Sequence, residues 1–478
     1  MPILDQLRTH YLHSPRWVQS TGGRLLGALP PGLRYGRTFR EQLADIERSE
    51  LDAAFTEREV RRRLDTLWSH ALTTAYYRPL LEELGVDRPT PDDLSKLPVL
   101  KKEVVRRRVD DMLATPKSRM DEVMTAGTSG VALSFYLDKD RSVREWAFLT
   151  HLWRRSGYRL GDRLAVLGYR WNALRGGSHA SGAPWAWEPG TRELRLSPLR
   201  LVPPIMDRYL DLIGRYKAAF IYGYPSSISI LAAHAQNVGW TPPDSLKGVL
   251  LMSESIRPFQ RVAIREGFGP MPVFAGYGLS EKVAIAGEVP GSPDEYEFEP
   301  LYGWAELVDA VGEPVTTPGR QGTLVGTGLV SMGMPLIRYD TGDLATFVEA
   351  PSAANRWRLR VRDIVGHWRQ EFLVTREGAL FSPTAVYPAN RTVKEFTFVQ
   401  DKPGFATLRV VPQSGASREE IQPLADRINW FTGGLIVVDL EVVDELPLTP
   451  RGKRLLVEQH LDLSAFGSAA DDEAGAPS

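Results

Sequence analysis

Between residues 163 and 275 short apolar runs alternate with amphipathic stretches, and this alternation constrains the fold more than any other feature of the chain. Arg163-Leu-Ala-Val-Leu-Gly168 follows the turn pair Gly161-Asp162 and reads as a strand. Residues 206–216 are amphipathic with helical spacing. Ala219-Phe-Ile-Tyr222 is a strand stopped by Gly223-Tyr224-Pro225, and Ser226 is placed to cap a helix running through His234, its hydroxyl accepting a free backbone amide. Gly248-Val-Leu-Leu-Met252 and Pro272-Val-Phe-Ala275 are further strands, with a helix over residues 258–266 between them. Strands that alternate with helices in this way build a parallel sheet with right-handed crossovers. Binding sites in such sheets lie beyond the carboxyl ends of the strands. That singles out residues 223–227, 253–255 and 276–281.

The flanks read differently. Residues 1–120 are mostly helices and loops. Leu64, Leu67, Trp68, Ala71 and Leu72 recur at helical spacing, so residues 51–72 form one long amphipathic helix. Residues 89–98 are a turn-rich connector, and another helix follows Lys101. Residues 301–365 have an antiparallel pattern with glycine turns at Gly319, Gly322, Gly326 and Gly328. After Gly366 comes a small α+β pattern: strands over 397–400 and 406–411, a helix over 419–430, and a strand over 435–443. The expected organisation is α/β, with a large N-terminal domain over residues 1–365, a small C-terminal domain over 366–464, and a disordered polar tail over 465–478.

Charge and composition narrow the function. Lys and Arg number 58 against 59 Asp and Glu, a formal net charge of -1. A nucleic-acid partner wants clustered positive charge, so none is expected. The runs Arg61-Arg62-Arg63 and Arg106-Arg107-Arg108 fall on amphipathic stretches and read as solvated helix faces. The chain has no cysteine, which excludes disulfides, thiolate nucleophiles, Cys-based zinc sites and an enzyme-bound thioester. The eight histidines show no metal-ligand spacing. Neither a signal peptide nor an apolar run long enough to span a membrane is visible, and a cytoplasmic location is expected.

Four segments carry chemistry. Thr125-Ala-Gly-Thr-Ser-Gly130 interleaves hydroxyls with glycines, so its amides and hydroxyls can wrap a polyphosphate; Gly127, Thr128, Ser129 and Gly130 are the contacts. It lacks the Gly-Lys-[Ser/Thr] ending of a Walker A loop, and alone it is as well a plain glycine turn. Gly276-Tyr-Gly-Leu-Ser-Glu281 can lay Tyr277 on an adenine between Gly276 and Gly278, while Ser280 donates to a phosphate and Glu281 holds Mg²⁺. Alone it is equally a surface turn with a core tyrosine. Met334-Pro-Leu-Ile-Arg-Tyr-Asp-Thr-Gly-Asp343 offers Asp343 to both hydroxyls of a ribose, or is an ordinary β-turn. In Leu446-Pro-Leu-Thr-Pro-Arg-Gly-Lys453, Lys453 is a solvated loop lysine or a cation placed against developing negative charge.

In this order and spacing the four segments resemble those of the adenylate-forming (ANL) superfamily of acyl-CoA synthetases, luciferases and NRPS adenylation enzymes. The nearest branch is similar to phenylacetate–CoA ligases, particularly their CapK-like members. The resemblance runs from about Trp17 to Leu463 and takes in Leu97-Pro-Val-Leu-Lys-Lys102 and Tyr222-Gly-Tyr-Pro-Ser226. It implies an ATP-dependent ligase with a large N-terminal domain and a small C-terminal domain that rotates between half-reactions. Position by position it implies that residues 125–130 form the phosphate loop and that Ser253, Glu254 and Ser255 line the adenine pocket. Tyr277 becomes the adenine-stacking ring, Ser280 the phosphate contact and Glu281 the Mg²⁺ ligand. Asp343 becomes the ribose ligand and Lys453 the lysine that assists adenylation. Three positions depart from the family. The phosphate loop continues Val131-Ala132-Leu133 where many members carry a lysine. His367 follows Gly366 where a ribose-contacting arginine is usual, and Gln370 replaces a hinge aspartate. These bear on the domain swing and the second half-reaction and leave the adenylation set intact.

The implied chemistry is attack of a carboxylate on the α-phosphate of ATP, loss of pyrophosphate, and transfer of the acyl group to a thiol or amine. CoA is the acceptor that the resemblance suggests, as is a homodimer. The acyl pocket is expected near Tyr224, Ala275, Gly276, Ala284, Ile285 and Gly287, with Tyr169, Trp171 and Trp185 either aromatic walls or plain core. Two further readings stay open: an adenylating ligase with an amine or carrier-protein acceptor in polysaccharide or natural-product biosynthesis, and a nucleotide-binding member without turnover.

Overall fold

The computed structural model describes residues 34–125, 133–168, 183–254, 258–366, 372–381, 392–413, 416–446 and 456–466, with Leu29, Ile256 and Pro383. An antiparallel pair, β1 (Met120–Thr125) and β2 (Leu133–Asp138), precedes the main sheet. That sheet begins with β3 (Leu164–Leu167), β4 (Trp185–Glu188), β5 (Glu193–Leu196), β6 (Phe220–Gly223), β7 (Gly248–Leu251) and β8 (Val273–Gly278). It continues with β9 (Ile285–Val289), β10 (Ser292–Phe298), β11 (Gly303–Val308), β12 (Gln321–Gly328), β13 (Tyr339–Glu349) and β14 (Arg360–Val365). The twelve strands lie in the order β11-β12-β13-β14-β10-β9-β8-β7-β6-β3-β5-β4. Strands β5, β3, β6, β7 and β8 are parallel neighbours, as the alternating pattern demands. From β8 onward every pairing is antiparallel.

The parallel strands are apolar because helices cover both faces. Side chains alternate across a strand, and the packing follows: Leu164 and Val166 join one cluster, Ala165 and Leu167 the other. The first cluster holds Phe39, Leu64 and Phe148 from helices Gly36–Leu51, Ala53–Ala71 and Arg141–Trp153. The second holds Ile213, Leu231 and Ile264 from helices Pro203–Arg215, Pro225–Asn237 and Pro258–Phe268. Among the described residues no helix is long and apolar enough to cross a membrane.

Two local expectations are corrected and one is trimmed. The long helix over 51–72 spans Ala53–Ala71; Leu51, 89% exposed, ends the helix before it, and Asp52 caps it by accepting the Phe55 amide at 2.9 Å. Ser226 is no cap. Tyr224 holds that place, Pro225 takes the first helical position where its missing N–H is harmless, and Ser226 lies inside the helix. Of the four glycines expected in turns, Gly319 alone has a positive φ, 82°. Gly322, Gly326 and Gly328 lie within β12, where the last two let the chain around Lys282 and Val283 approach; a Cβ on Gly326 would stand 2.9 Å from Val283 O.

After residue 366 a hairpin, β15 (Leu373–Val374) with β16 (Leu380–Phe381), precedes a four-stranded sheet of β17 (Val393–Lys402), β18 (Phe405–Pro412), β19 (Val437–Val442) and β20 (Val457–Gln459), ordered β19-β18-β17-β20. Helix Arg418–Thr432, opened by a Ser417–Glu420 capping box, packs Ile421 and Ile428 onto Phe396 and Leu408. Buried Gln400 stitches the hairpin on, accepting from Val374 N at 2.6 Å and donating to Val374 O at 2.8 Å. The polar tail after residue 466 lies outside the described residues.

The tightest joint between parallel strands is at Gly223, where a Cβ would stand 1.9 Å from Leu167 O. Gly223→Ala should destabilise the protein by about 2 kcal/mol or more, read as a lowered midpoint in thermal unfolding followed by circular dichroism.

Candidate functional site

Three chain segments far apart in sequence meet at the carboxyl ends of the central strands. Strand β7 runs out into Ser253-Glu254. Strand β8 carries Tyr277 and continues to Ser280 and Glu281. Strand β13 brings Tyr339 and Asp343. A non-glycine residue sits in the left-handed region on each: Ser253 at φ 74°, Lys282 at 60°, Arg338 at 51°. Such strain persists only where the surroundings over-determine the backbone. The Tyr277 hydroxyl donates to Asp343 Oδ2 at 2.7 Å, and the Tyr339 hydroxyl donates to Glu281 Oε1 at 2.8 Å. Burial first, and the neighbouring carboxylates second, push both phenols up, so they remain donors at physiological pH. Glu281 and Asp343 are each only 7% exposed. The Tyr277 ring stands edge-on to Phe298 at 5.7 Å. Asp343 therefore lies within a strand, with one oxygen already fixed by a phenol.

Two members of this cluster had no role assigned from sequence, Tyr339 and Lys102, although both belong to segments that the sequence singles out. The connector before Lys102 is sewn to the start of β13. Leu100 N donates to Arg338 O at 2.8 Å, Asp340 N donates to Leu100 O at 3.0 Å, and Lys101 Nζ lies 2.7 Å from Asp340 Oδ2. Lys102 is thereby brought, half-buried, to the two acidic groups. Burial lowers its ammonium pKa, while the charges of Glu281 and Asp343 raise it. Its signal in the sequence was only a lysine two residues past an apolar run; its partners lie far along the chain.

Glu254 reaches the helix that starts at Pro225. Its Oε2 accepts the Ser226 amide at 3.1 Å, and the Ser226 hydroxyl is turned to the same carboxyl rather than to a helix cap. Burial pushes the Glu254 carboxyl up, against the pull of the Ser226 hydroxyl and amide. A cleft of about 60 Å³ is lined by Ser253, Glu254, Gly276, Tyr277, Gly278 and Tyr296. A Cβ on Gly276 would stand 2.1 Å from Met252 Sδ, so a side chain there requires the methionine to move. Tyr224 lies with its ring near Gly168. Of the expected acyl-pocket residues, Ala275, Ala284 and Ile285 are at most 2% exposed and packed in the core. Gly287 pairs with Gly276 across β8 and β9. They back the site rather than wall it. Trp185 sits on edge strand β4 under the Arg208 guanidinium. A larger cavity of about 350 Å³, lined by Trp304, Glu306 and Trp357 among others, contains none of the motif residues.

Thr125 ends β1, and Ser280 is exposed beside Glu281. Gly127, Thr128, Ser129, Gly130, Ser255, His367, Gln370 and Lys453, with Tyr169 and Trp171, lie outside the described residues. For a hard cation such as Mg²⁺ the fitting group is Glu281, a carboxylate oriented through one oxygen by Tyr339. Glu50, His151 and Glu299 also approach one another. Arg358 pairs with both of these glutamates, at 2.6 and 3.3 Å, which makes that cluster an ion-pair network.

No family model matches the chain. Protein CapK of Staphylococcus aureus is 22% identical over 460 residues, covering 93% of this chain and 97% of CapK. Phenylacetate-coenzyme A ligase of Thermus thermophilus is 27% identical over 366 residues, covering 73% of this chain and 77% of the ligase. Among solved structures, 2-hydroxyisobutyryl-CoA ligase with 2-HIB-AMP and CoA bound superposes with a TM-score of 0.53 at 20% identity, covering 84% of this chain and 90% of that one. The fold is that of the adenylate-forming enzymes. Within that fold, the curated relatives that the chain resembles are the phenylacetate–CoA ligases and CapK.

Glu254 gives this cluster a pH signature. A carboxyl whose pKa is raised on folding contributes stability below its unfolded pKa and loses it as pH rises through the folded value. Glu254→Gln keeps an acceptor for Ser226 and removes that loss. The variant should gain thermal stability relative to the native protein as pH is taken from 4 to 7, measured by calorimetric unfolding at both ends.

Proposed function

We propose that the chain is an ATP-dependent, AMP-forming acid–coenzyme A ligase acting in the cytoplasm. One oxygen of a carboxylic acid attacks the α-phosphorus of ATP, the bond to the bridging oxygen breaks, and pyrophosphate departs with the electron pair. The CoA thiol gives up its proton, attacks the acyl carbonyl of the adenylate, and expels AMP. No side-chain nucleophile is needed, which suits a chain without cysteine. Catalysis is positioning and charge stabilisation.

The observation that carries this reading is the pair of phenol–carboxylate hydrogen bonds, Tyr277 to Asp343 and Tyr339 to Glu281, which unite two motifs at the strand ends. Asp343 accepts the ribose hydroxyls while Tyr277 holds its other oxygen and offers a ring to the adenine. Glu281 holds Mg²⁺, which when bound neutralises charge on the phosphates. Lys102 adds a cation from the connector side. Residues 125–130 hold the phosphates, and Lys453, on a small C-terminal domain over 366–464, faces the reacting carboxylate. His367 takes the ribose-side place at the domain junction. For the acid we propose an arylacetic or related aromatic acid. The support is the phenylacetate-coenzyme A ligases of Thermus thermophilus and Aromatoleum evansii, 27% and 28% identical to this chain.

ATP–pyrophosphate exchange against aromatic and aliphatic acids tests the first half-reaction. Exchange should be stimulated most by an arylacetic acid, fall about 100-fold in Lys453→Ala and Asp343→Ala, and fall about tenfold in Lys102→Met. Measurable ATP binding with no exchange for any acid would sink the ligase reading and favour nucleotide binding without turnover. Exchange without CoA thioester formation would move the acceptor to an amine or a carrier protein.

A further inference from the structure

The turn that presents Glu281 is followed by Lys282, a side-chain-bearing residue held at φ 60°. Its ammonium lies 2.7 Å from Glu145 Oε1, on helix Arg141–Trp153, with the two side chains 17% and 22% exposed. The Tyr302 hydroxyl donates to the same oxygen at 3.2 Å, and Phe148 of that helix meets the Tyr302 ring edge-on at 5.1 Å. Tyr302 is 1% exposed, and burial together with the Glu145 charge keeps it protonated. Just downstream, the chain is pinned: a Cβ on Gly303 would stand 1.9 Å from Val283 O. The backbone at Lys282 therefore cannot relax toward its C-terminal side, and its side chain is anchored to a helix from another part of the fold.

We propose that the Lys282–Glu145 ion pair, backed by Tyr302, is a positioning clamp for the Glu281 carboxylate and sets the affinity of the site for a divalent cation carried by nucleotide phosphates. The proposal rests on the assignment of Glu281 as the metal-holding residue. Tyr339 orients the carboxylate from its oxygen side, and the clamp fixes the backbone from which that side chain springs. The pair also ties the turn to helix Arg141–Trp153, which follows β2 in the chain. A fully exposed lysine pair contributes little. This one is mostly shielded and shares its carboxylate with a buried phenol, which strengthens the charge-assisted bond.

Calorimetric titration of Mn²⁺–ATP onto the full chain reads the clamp without turnover. Lys282→Gly relieves the backbone strain and removes the pair; Glu145→Gln removes the charge and keeps an acceptor for Tyr302. Each should bind Mn²⁺–ATP about tenfold more weakly, and the double variant no more weakly than either single one. Lys282→Arg should stay near the native affinity, and binding of metal-free ATP should be unchanged throughout. Native Mn²⁺–ATP affinity in Lys282→Gly, at an unchanged or higher unfolding midpoint, overturns the clamp. So does a loss of equal size with and without metal. Glu281→Gln separates the underlying assignment: if it too binds Mn²⁺–ATP as the native chain does, the metal reading has failed and the clamp falls with it.

Discussion

The hydrogen bond from Tyr277 to Asp343 joins strands that stand four places apart in one sheet, β8 and β13. Four strand spacings on a flat sheet amount to about 19 Å. The two side chains meet only because the antiparallel half of the sheet curls back over the end of the parallel half. Small residues line the inside of that curl: Ala275, Ala284, Ala286, Ala305 and Ala345 share a cluster with Tyr296, Phe298 and Phe347. Larger side chains at the alanines would open the curve and part the phenol from the carboxylate. Curvature of the sheet, and not any one loop, is what turns two motifs into one site.

A buried guanidinium secures the rim of the curl. Arg338 is 2% exposed and donates to the carbonyls of Ser95, Leu97 and Gly312, with Glu306 as its counter-ion at 3.3 Å. A charge taken out of water is tolerated only when its donors are answered in this way. The arrangement holds the connector, the loop at residue 312 and the start of β13 in one piece. Lys102 and Tyr339 hang from that piece, so their approach to Glu281 follows from the placement of Arg338.

The parallel half of the fold was legible because its code is local. Runs such as Leu-Ala-Val-Leu and Gly-Val-Leu-Leu alternate between two clusters, and the helices between them carry their own apolar stripes. The helix over 51–72 was legible too, from the spacing of Leu64, Leu67, Trp68 and Ala71, and the structure trims only its ends. Ser226 misled because Pro225 fixes the helix start one residue earlier, while Glu254, from another strand end, claims the serine amide. Gly326 and Gly328 misled because glycine serves close approach as well as turning, and the approaching segment lies about forty residues upstream. Glu281 and Asp343 were singled out through their segments, and the structure brings those segments together. Tyr339 and Lys102, which complete the same cluster, acquire their roles through contacts across the curl, which no spacing along the chain records.

The helix Pro225–Asn237 opens toward the strand ends, and a helix start ordinarily draws anions. Here its second residue gives its amide to Glu254, a carboxyl of the protein's own. That attraction is therefore already engaged, by a carboxyl that belongs to the fold and cannot depart. What lies beside it past the end of β6 is shape: the Tyr224 ring set against the bare backbone of Gly168.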